Sequence, residues 1–304
     1  MMDKSFLKEL EAFANTGGLV LDEPLCNHTT FRVGGRADAF LSVSEEEQLQ
    51  KVIALCKRAQ VPYLIIGNGS NLLVSDAGFR GLVLAIGKGM SEVCIEQKHI
   101  IAKAGALLSS VAQLAAKNGL GGMEFASGIP GSIGGAIVMN AGAYDGEMKQ
   151  IVEEVTVLTQ DGDIKILTND ELDFGYRMSR VKKEQMIVLS VKLCLEFKEQ
   201  ELIYAKMNDF AARRREKQSL EYPSAGSTFK RPEGMFAGKL IMDAGLRGYT
   251  VGGAQVSQKH CGFVINTGNA TAEDVYTLIK DVQNKVNDTF GVMLEPEVIM
   301  VGDF

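Results

Sequence analysis

Apolar side chains return at helical spacing in some stretches of the chain and alternate in others, so the pattern predicts helices interleaved with strands. Over residues 44–60, Leu49, Val52, Ile53 and Cys56 share one helical face, and Ser44 with Glu47 has the spacing of a capping box. After Pro62, the apolar run Tyr63-Leu64-Ile65-Ile66 predicts a buried strand. Leu107, Val111 and Leu114 predict a helix stopped by Asn118-Gly119. Residues 155–167 alternate around Asp161-Gly162, the signature of a hairpin, and 186–197 alternate as a further strand. Near residue 200 the character changes. Ile203, Met207 and Phe210 predict a helix ending in Arg213-Arg214-Arg215, followed by a loop-like run through Pro223, Gly226, Pro232 and Gly234. Beyond it, 238–244 read as helix, 263–266 as strand, 271–288 as a long helix with Val275, Leu278, Ile279, Val282 and Val286 on one face, and 297–301 as a final strand. The pattern implies an α+β protein whose strand pairing is not purely parallel, with a domain boundary near residue 200.

Two segments break the periodic pattern. Residues 126–136, A-S-G-I-P-G-S-I-G-G-A, crowd four glycines and a proline into a stretch unsuited to an ordinary helix or strand. The second, G-N-G-S-N-L-L at 67–73, follows the strand predicted at Tyr63. Glycine leaves backbone N–H groups unobstructed, so the pair suits the oxygens of a phosphate or pyrophosphate, although each alone reads equally as a tight turn. Neither has the spacing of a P-loop or of a dinucleotide fingerprint, which disfavours a P-loop NTPase or a simple Rossmann enzyme.

A chain of 304 residues can bury a large core in two or three domains, and a net charge of -6 argues against nucleic acid or an anionic membrane as main partner. The charged residues Asp3, Lys4 and Glu9 interrupt the N-terminal apolar positions, so no signal peptide or membrane span is expected and the location is expected to be cytoplasmic. Five cysteines without C-x-x-C spacing suit buried thiols in a reducing compartment, and the lone C-x-H pair Cys26/His28 is not expected to hold a metal.

Three segments carry candidate chemistry. Ser227 follows Gly226 and precedes Lys230 and Arg231, so neighbouring positive charge would favour its anionic form and suit it as a proton donor to a carbanion-like centre; a polar turn is the plain alternative. Arg177, in F-G-Y-R-M-S, is suited to grip a carboxylate or phosphate, and Glu297, in L-E-P-E-V, stands before an apolar strand where burial would raise its pKa. Structural turns and a solvated strand end remain open for both. No G-x-S-x-G occurs and only His28, His99 and His260 could act as base, so a serine hydrolase is a poor fit.

Taken in order, T-F-R-V-G-G at 30–35, G-N-G-S-N-L-L, G-I-P-G-S-I-G-G-A, N-A-G-A-Y at 140–144, G-Y-R-M-S, A-G-S-T-F-K-R-P and L-E-P-E-V resemble the UDP-N-acetylenolpyruvoylglucosamine reductase (MurB) family along nearly the whole chain. The resemblance implies a two-part α+β FAD-binding domain of the PCMH/vanillyl-alcohol-oxidase type, 1–85 with the extreme C-terminus joining it and 86–212, and a C-terminal substrate-binding domain, 213–304. It implies noncovalent FAD held by Gly67, Asn68, Gly69, Ser70, Asn71, Leu72, Gly128, Ile129, Pro130, Gly131, Ser132, Gly134, Gly135 and Asn140. NADPH would be the hydride donor, and the enolpyruvyl ether of UDP-N-acetylglucosamine-enolpyruvate would be reduced to UDP-N-acetylmuramate for peptidoglycan synthesis. Arg177 and Glu297 would stabilise charge at the reacting carbon and Ser227 would donate the proton. Lys217, Arg231, Lys259, His260 and Asn266 would anchor the sugar nucleotide, without a metal, in a monomer. The chain departs from close relatives at Ser219, where a proline is expected, which puts the rigidity of that loop in question. Two other readings stay open: another FAD-dependent oxidase or dehydrogenase of the same fold, and a noncatalytic flavin-binding protein.

Overall fold

The computed structural model describes residues 2–14 and 18–304. These fall into two compact units that are discontinuous in sequence: residues 1–20, 39–68 and 81–212 form one, and 21–38, 69–80 and 213–304 the other. Segments 21–38 and 69–80, which the expected division placed inside 1–85, thus cluster with the C-terminal residues.

In the first unit, helices α1 (Lys4–Phe13) and α2 (Glu46–Ala59) pack with Tyr63–Ile66 and with the greater part of strands Arg36–Val43 and Phe79–Ile86, whose first residues, 36–38 and 79–80, are counted with the other unit; Phe79–Ile86 and Tyr63–Ile66 are parallel with Tyr63 opposite Leu82. Leu49, Val52, Ile53 and Cys56 face the core as their spacing requires. Each buried aliphatic side chain there contributes about 1.5–3 kcal/mol of transfer free energy. The helix start differs from expectation: Glu45 is the N-cap, and the Ser44 hydroxyl and N–H both donate to Gln48 Oε1, 3.0 and 2.7 Å. Gln48 also reaches back to the Phe13 carbonyl, so a long-range tie has displaced the local cap.

A five-stranded antiparallel sheet forms the rest of this unit's framework, in the order Ile164–Thr168, Val152–Leu158, Ile187–Cys194, His99–Lys103, Val93–Glu96. The hairpin expected at Asp161-Gly162 joins the first two. Helix α3 (Leu108–Lys117) starts one residue later than its stripe suggested: Leu107 is 45% exposed, and Leu108, Val111, Ala112 and Ala115 form the buried face. Short helices α4 (Ile133–Val138) and α5 (Arg180–Lys183) follow, then α6 (Gln200–Lys217), which runs past the arginine triplet and whose residues from Arg213 on are counted with the second unit.

The second unit has its own core. Helix α7 (Ala237–Asp243) and helix α8 (Ala272–Phe290) pack with an antiparallel sheet of Thr250–Val251, Ala254–Val256 and Val264–Asn266. Thr271 and Asp274 cap α8 reciprocally, and Val275, Leu278, Ile279, Val282 and Val286 are all buried. The C-terminal strand, Ile299–Val301, pairs in parallel with Leu72–Val74. Among the described residues no helix is long and apolar enough to cross a membrane. Cys56 and Cys261 are buried, but Cys94 is exposed, against the expectation of buried thiols, because it sits on the edge strand Val93–Glu96.

Candidate functional site

Within the first unit the glycine-rich segment lies against the strand end at residue 67. Gly67 approaches Ser132 so closely that a Cβ on it would collide with Ser132 Oγ, and the Asn68 amide donates to the Pro130 carbonyl. The 126–136 segment is itself tied down: Leu108 N–H donates to Gly131 O (2.9 Å), Ile133 N–H to Ala106 O (2.8 Å) and Gly134 N–H to Ala104 O (2.8 Å). Ser132 caps α4 by accepting the Gly135 N–H, 3.3 Å. Ser132 and Gly134 are buried, whereas Gly67, Asn68, Gly128, Pro130 and Gly135 keep exposed surface, and Ile129 and Gly131 are half-exposed. A rigid, side-chain-poor backbone surface of this kind fits an elongated anionic group such as a pyrophosphate.

Arg177 is in the same unit, in a four-residue turn closed at both ends: Gly175 N–H donates to Met178 O (3.0 Å) and Met178 N–H to Gly175 O (3.2 Å). Its φ of 55° is left-handed, its guanidinium lies 5.1 Å from the Tyr176 ring centroid, and Nη2 is 3.5 Å from the Gly142 carbonyl. Asn140 is 1% exposed and its amide works inside the protein.

The second unit holds the remaining candidates. Gly69 has a left-handed φ of 58° and a carbonyl that accepts the Thr30 N–H, 3.2 Å. Thr30 Oγ1 is buried there without a partner among the described residues, a polar atom of the kind a bound ligand satisfies. The Asn71 side chain donates to the Glu297 carbonyl, 3.0 Å, and the Asn71 carbonyl accepts the Ile299 N–H, 2.9 Å, so the loop expected to hold cofactor also fixes the glutamate's backbone. Ser70 and Leu72 flank it, both half-exposed.

Ser227 and Glu297 come together on paired extended segments. Thr228 O accepts the Glu297 N–H and Glu295 O the Lys230 N–H, each 2.8 Å, while Ser227 bridges Phe263 on the other side. Thr228, which carries no signal in the sequence beyond being a polar residue in a turn, is fully buried, and its Oγ1 accepts the Val264 N–H, 3.0 Å. Gly226 has φ 74°, a conformation that strains most other residues and lets the chain swing Ser227 into line. The cations read beside Ser227 are engaged: Lys230 ion-pairs with Glu295, and the Arg231 guanidinium lies 4.7 Å from the Phe236 ring centroid.

Of the expected sugar-nucleotide residues, Lys217 lies in the last turn of α6 and Lys259 Nζ is 3.3 Å from Glu221. Burial first, then the Lys217 charge, pushes the His260 imidazole below its ordinary pKa, against a backbone hydrogen bond that raises it. His260 Nδ1 accepts the Gly262 N–H, 3.2 Å, which leaves the proton of the neutral ring on Nε2. Asn266 is buried: its amide donates to Phe31 O and its oxygen accepts the Gly268 and Ala270 N–H groups, so it shapes the wall from within. Ser219, where a proline was expected, is buried. Its hydroxyl pairs with Ser257 Oγ at 2.8 Å, and Ser257 accepts the Lys259 and His260 N–H groups, so side-chain hydrogen bonds tie position 219 to the 257–260 loop.

Outside these segments, His28 is engaged by Glu23 at 2.8 Å. His99, Glu153 and Cys194 bring three potential ligand atoms within 4.8 Å of one another, where Glu153 is ion-paired to Lys192 at 2.6 Å and to His99 at 3.0 Å.

Comparison with known proteins gives one consistent picture. Residues 218–301 match the model of the UDP-N-acetylenolpyruvoylglucosamine reductase C-terminal domain, and residues 37–168 that of an FAD binding domain. The UDP-N-acetylenolpyruvoylglucosamine reductase of Agathobacter rectalis is 55% identical over 315 residues, covering 100% of both chains. That of Clostridium botulinum (strain 657 / Type Ba4) is 49% identical over 300 residues, covering 99% of this chain and 98% of the other. The crystal structure of the enzyme from Thermus caldophilus superposes with a TM-score of 0.79 at 36% identity, covering 93% of this chain and 98% of that one. An alkyldihydroxyacetonephosphate synthase, at TM-score 0.50 and 16% identity over 65% of this chain and 41% of the other, shares the fold alone.

Proposed function

The chain belongs to the UDP-N-acetylenolpyruvoylglucosamine reductase family, and on that premise we propose how its own residues divide the work of the reaction. The protein is an FAD-dependent oxidoreductase that uses NADPH to reduce the enolpyruvyl ether of UDP-N-acetylglucosamine-enolpyruvate to UDP-N-acetylmuramate. The observation that carries this reading is the match to the Agathobacter rectalis enzyme along 100% of both chains.

When bound, FAD supplies a two-electron carrier that takes hydride from NADPH and returns it to the methylene carbon of the enolpyruvyl ether. The loop of Gly67 and Asn68 and the segment 128–135 would hold the anionic part of the cofactor; support for this comes from the exposed surface of Gly67, Asn68, Gly128, Pro130 and Gly135, the hydrogen bonds that fix the segment, and the close approach of Gly67 to Ser132. Hydride arrival at the methylene carbon leaves negative charge on the neighbouring carbon and its carboxylate. Arg177 stabilises that charge, with Glu297 beside the reacting group, and Ser227 Oγ–H donates the proton that completes the new C–H bond. The proton lost by Ser227 is replaced from solvent, so the sum is NADPH, one proton and substrate going to NADP⁺ and product. Lys217, Arg231 and Lys259 offer cations to the diphosphate, His260 offers its Nε2–H, and Asn266 and Ser219 hold the wall on which these stand. The reaction takes place on a chain we infer to act as a monomer in the cytoplasm, without nucleic acid or membrane.

The test is substrate-dependent NADPH oxidation by the purified holoprotein, with the product identified by mass spectrometry. Appearance of a product heavier than the enolpyruvyl sugar nucleotide by two hydrogens supports the reading; NADPH oxidation that proceeds without the sugar nucleotide, and delivers electrons to oxygen, favours an oxidase of the same fold.

A further inference from the structure

Asn140 stands two residues beyond the end of α4, the helix that begins at the Ser132 cap, and its side chain is one of two ties between that stretch of chain and the Arg177 turn. It is 1% exposed and adopts a left-handed φ of 41°, a conformation asparagine tolerates better than most residues. Its side chain makes three hydrogen bonds. Nδ2 donates to the Gly175 carbonyl and to Glu147 Oε2, each 3.1 Å, and Oδ1 accepts the Lys149 N–H, 2.9 Å. Both amide hydrogens therefore point at protein acceptors, which is a poor arrangement for a ligand contact and a good one for a strut.

The strut ends where it matters. The Gly175 carbonyl accepts both the Asn140 amide and the Met178 N–H that closes the turn, so the bond fixes the first residue of a loop whose third is Arg177. The far end of the same turn is held by a second tie to the same stretch of chain: the buried Ser179 hydroxyl donates to the Val138 carbonyl, 2.9 Å, and accepts the Lys182 N–H, 3.3 Å. Lys182 Nζ in turn lies 3.3 Å from the Arg177 carbonyl. Arg177 is left-handed and long, so a small rotation of the turn moves its guanidinium by a large fraction of a hydrogen-bond length.

We infer that Asn140 is a positioning residue, which sets the turn that presents Arg177 by holding the Gly175 carbonyl, and is not itself a ligand of FAD. The inference rests on the role of Arg177 in the reduction of the enolpyruvyl group. Asn140→Asp keeps the size, the acceptor for Lys149 and the tolerance of a left-handed φ, and replaces the two donors with an oxygen that faces Glu147 and the Gly175 carbonyl. A misplacement of about 1 Å in a catalytic group costs up to about 100-fold in rate.

The experiment measures both half-reactions of the holoenzyme by anaerobic rapid mixing for wild type, Asn140→Asp, Arg177→Lys and the double variant. The expected result is full flavin content and bleaching by NADPH within about twofold of wild type, reoxidation by the enolpyruvyl sugar nucleotide slowed by roughly 10–100-fold, and a double variant scarcely slower than Arg177→Lys alone. Loss of flavin, or equal slowing of both half-reactions, overturns the inference in favour of a cofactor ligand or a general structural role. If Arg177→Lys itself leaves reoxidation unchanged, the role of Arg177 fails; if Arg177→Lys slows reoxidation and Asn140→Asp does not, only the strut fails. Should Asn140→Asp not yield folded holoenzyme, Asn140→Gly, which suits the left-handed backbone and removes the strut, is read by the same outcomes.

Discussion

In the proposed scheme, single side chains separate the two half-reactions. Ser227 is placed by Gly226 and by the bonds of Thr228, and its hydroxyl enters the scheme only after hydride transfer to carbon. Ser227→Ala is therefore expected to leave NADPH bleaching of the flavin unchanged and slow reoxidation by roughly 10²–10⁴-fold, checked by stopped-flow absorbance. Equal loss in both phases would remove Ser227 from the proton step. His260 gives a second residue-scale expectation. Its folded pKa lies below 6.5, so well above 6.5 both states are neutral, and as pH falls through 6.5 the unfolded chain takes the proton first. The stability contributed by neutral His260 is thus fully present above about pH 6.5 and is lost progressively as pH falls from there through the folded pKa. Chemical denaturation of wild type and His260→Gln from about pH 7.5 to about pH 5 should show wild type losing stability relative to the variant, and parallel curves would contradict the shift. Residue roles of this kind were only partly legible. The serine, arginine and glutamate segments stand out by motif as candidates whose roles are proposed, but Thr228 and Ser257 act through backbone partners that no local spacing announces.

At the scale of elements, the two glycine-rich segments make opposite demands that substitution can tell apart. A Cβ on Gly67 would push against Ser132 Oγ and so disturb the cap of α4, at a cost of about 1 kcal/mol or more, whereas a Cβ on Gly135 meets nothing of the fold closer than 3.5 Å. Gly67→Ala is expected to lower the thermal stability of the apoprotein and its flavin content together. Gly135→Ala should leave apoprotein stability within about 0.5 kcal/mol and weaken flavin retention, since its exposed face is the one proposed to meet the cofactor. Thermal unfolding and flavin release check both; a Gly135→Ala protein that retains flavin like wild type would show that this face does not meet it. The long amphipathic helices were legible because burial follows their periodicity: α2 and α8 bury the stripes read from sequence. Of the missed strands, Phe79–Ile86 is buried on both faces over Gly81–Leu84, so its apolar run carries no alternation, whereas Arg36–Val43 does alternate, with Ala37, Ala39, Leu41 and Val43 buried and Arg36 and Ser42 exposed, but two of its inward positions are alanines that mark the apolar face weakly. The α2 cap was misread because Gln48, buried and tied to Phe13, competes for Ser44.

For the whole molecule, residue spacing supplies none of the discontinuity of the units; only the family resemblance implied that the extreme C-terminus joins residues 1–85. The strand Leu72–Val74 follows the first-unit strand Tyr63–Ile66 closely in sequence, yet its partner is Ile299–Val301 from the other end of the chain. Pairing over such a separation leaves no local mark. Burial across the molecule also sorts the thiols. Cys94 is exposed, while burial pushes the Cys56 thiol up to about 12 and raises that of Cys261. Native labelling with a thiol reagent, mapped by peptide mass, should modify Cys94 first and reach Cys56 and Cys261 only with unfolding. Rapid native labelling of Cys56 would contradict the core as described. The central claim is the coupled use of FAD, NADPH and the enolpyruvyl sugar nucleotide by this one chain. Its most direct test is the anaerobic visible absorbance of the purified protein as NADPH and then UDP-N-acetylglucosamine-enolpyruvate are added. The account predicts a flavin band that NADPH bleaches and the sugar nucleotide restores; a band that NADPH cannot bleach, or that the sugar nucleotide cannot restore, contradicts it.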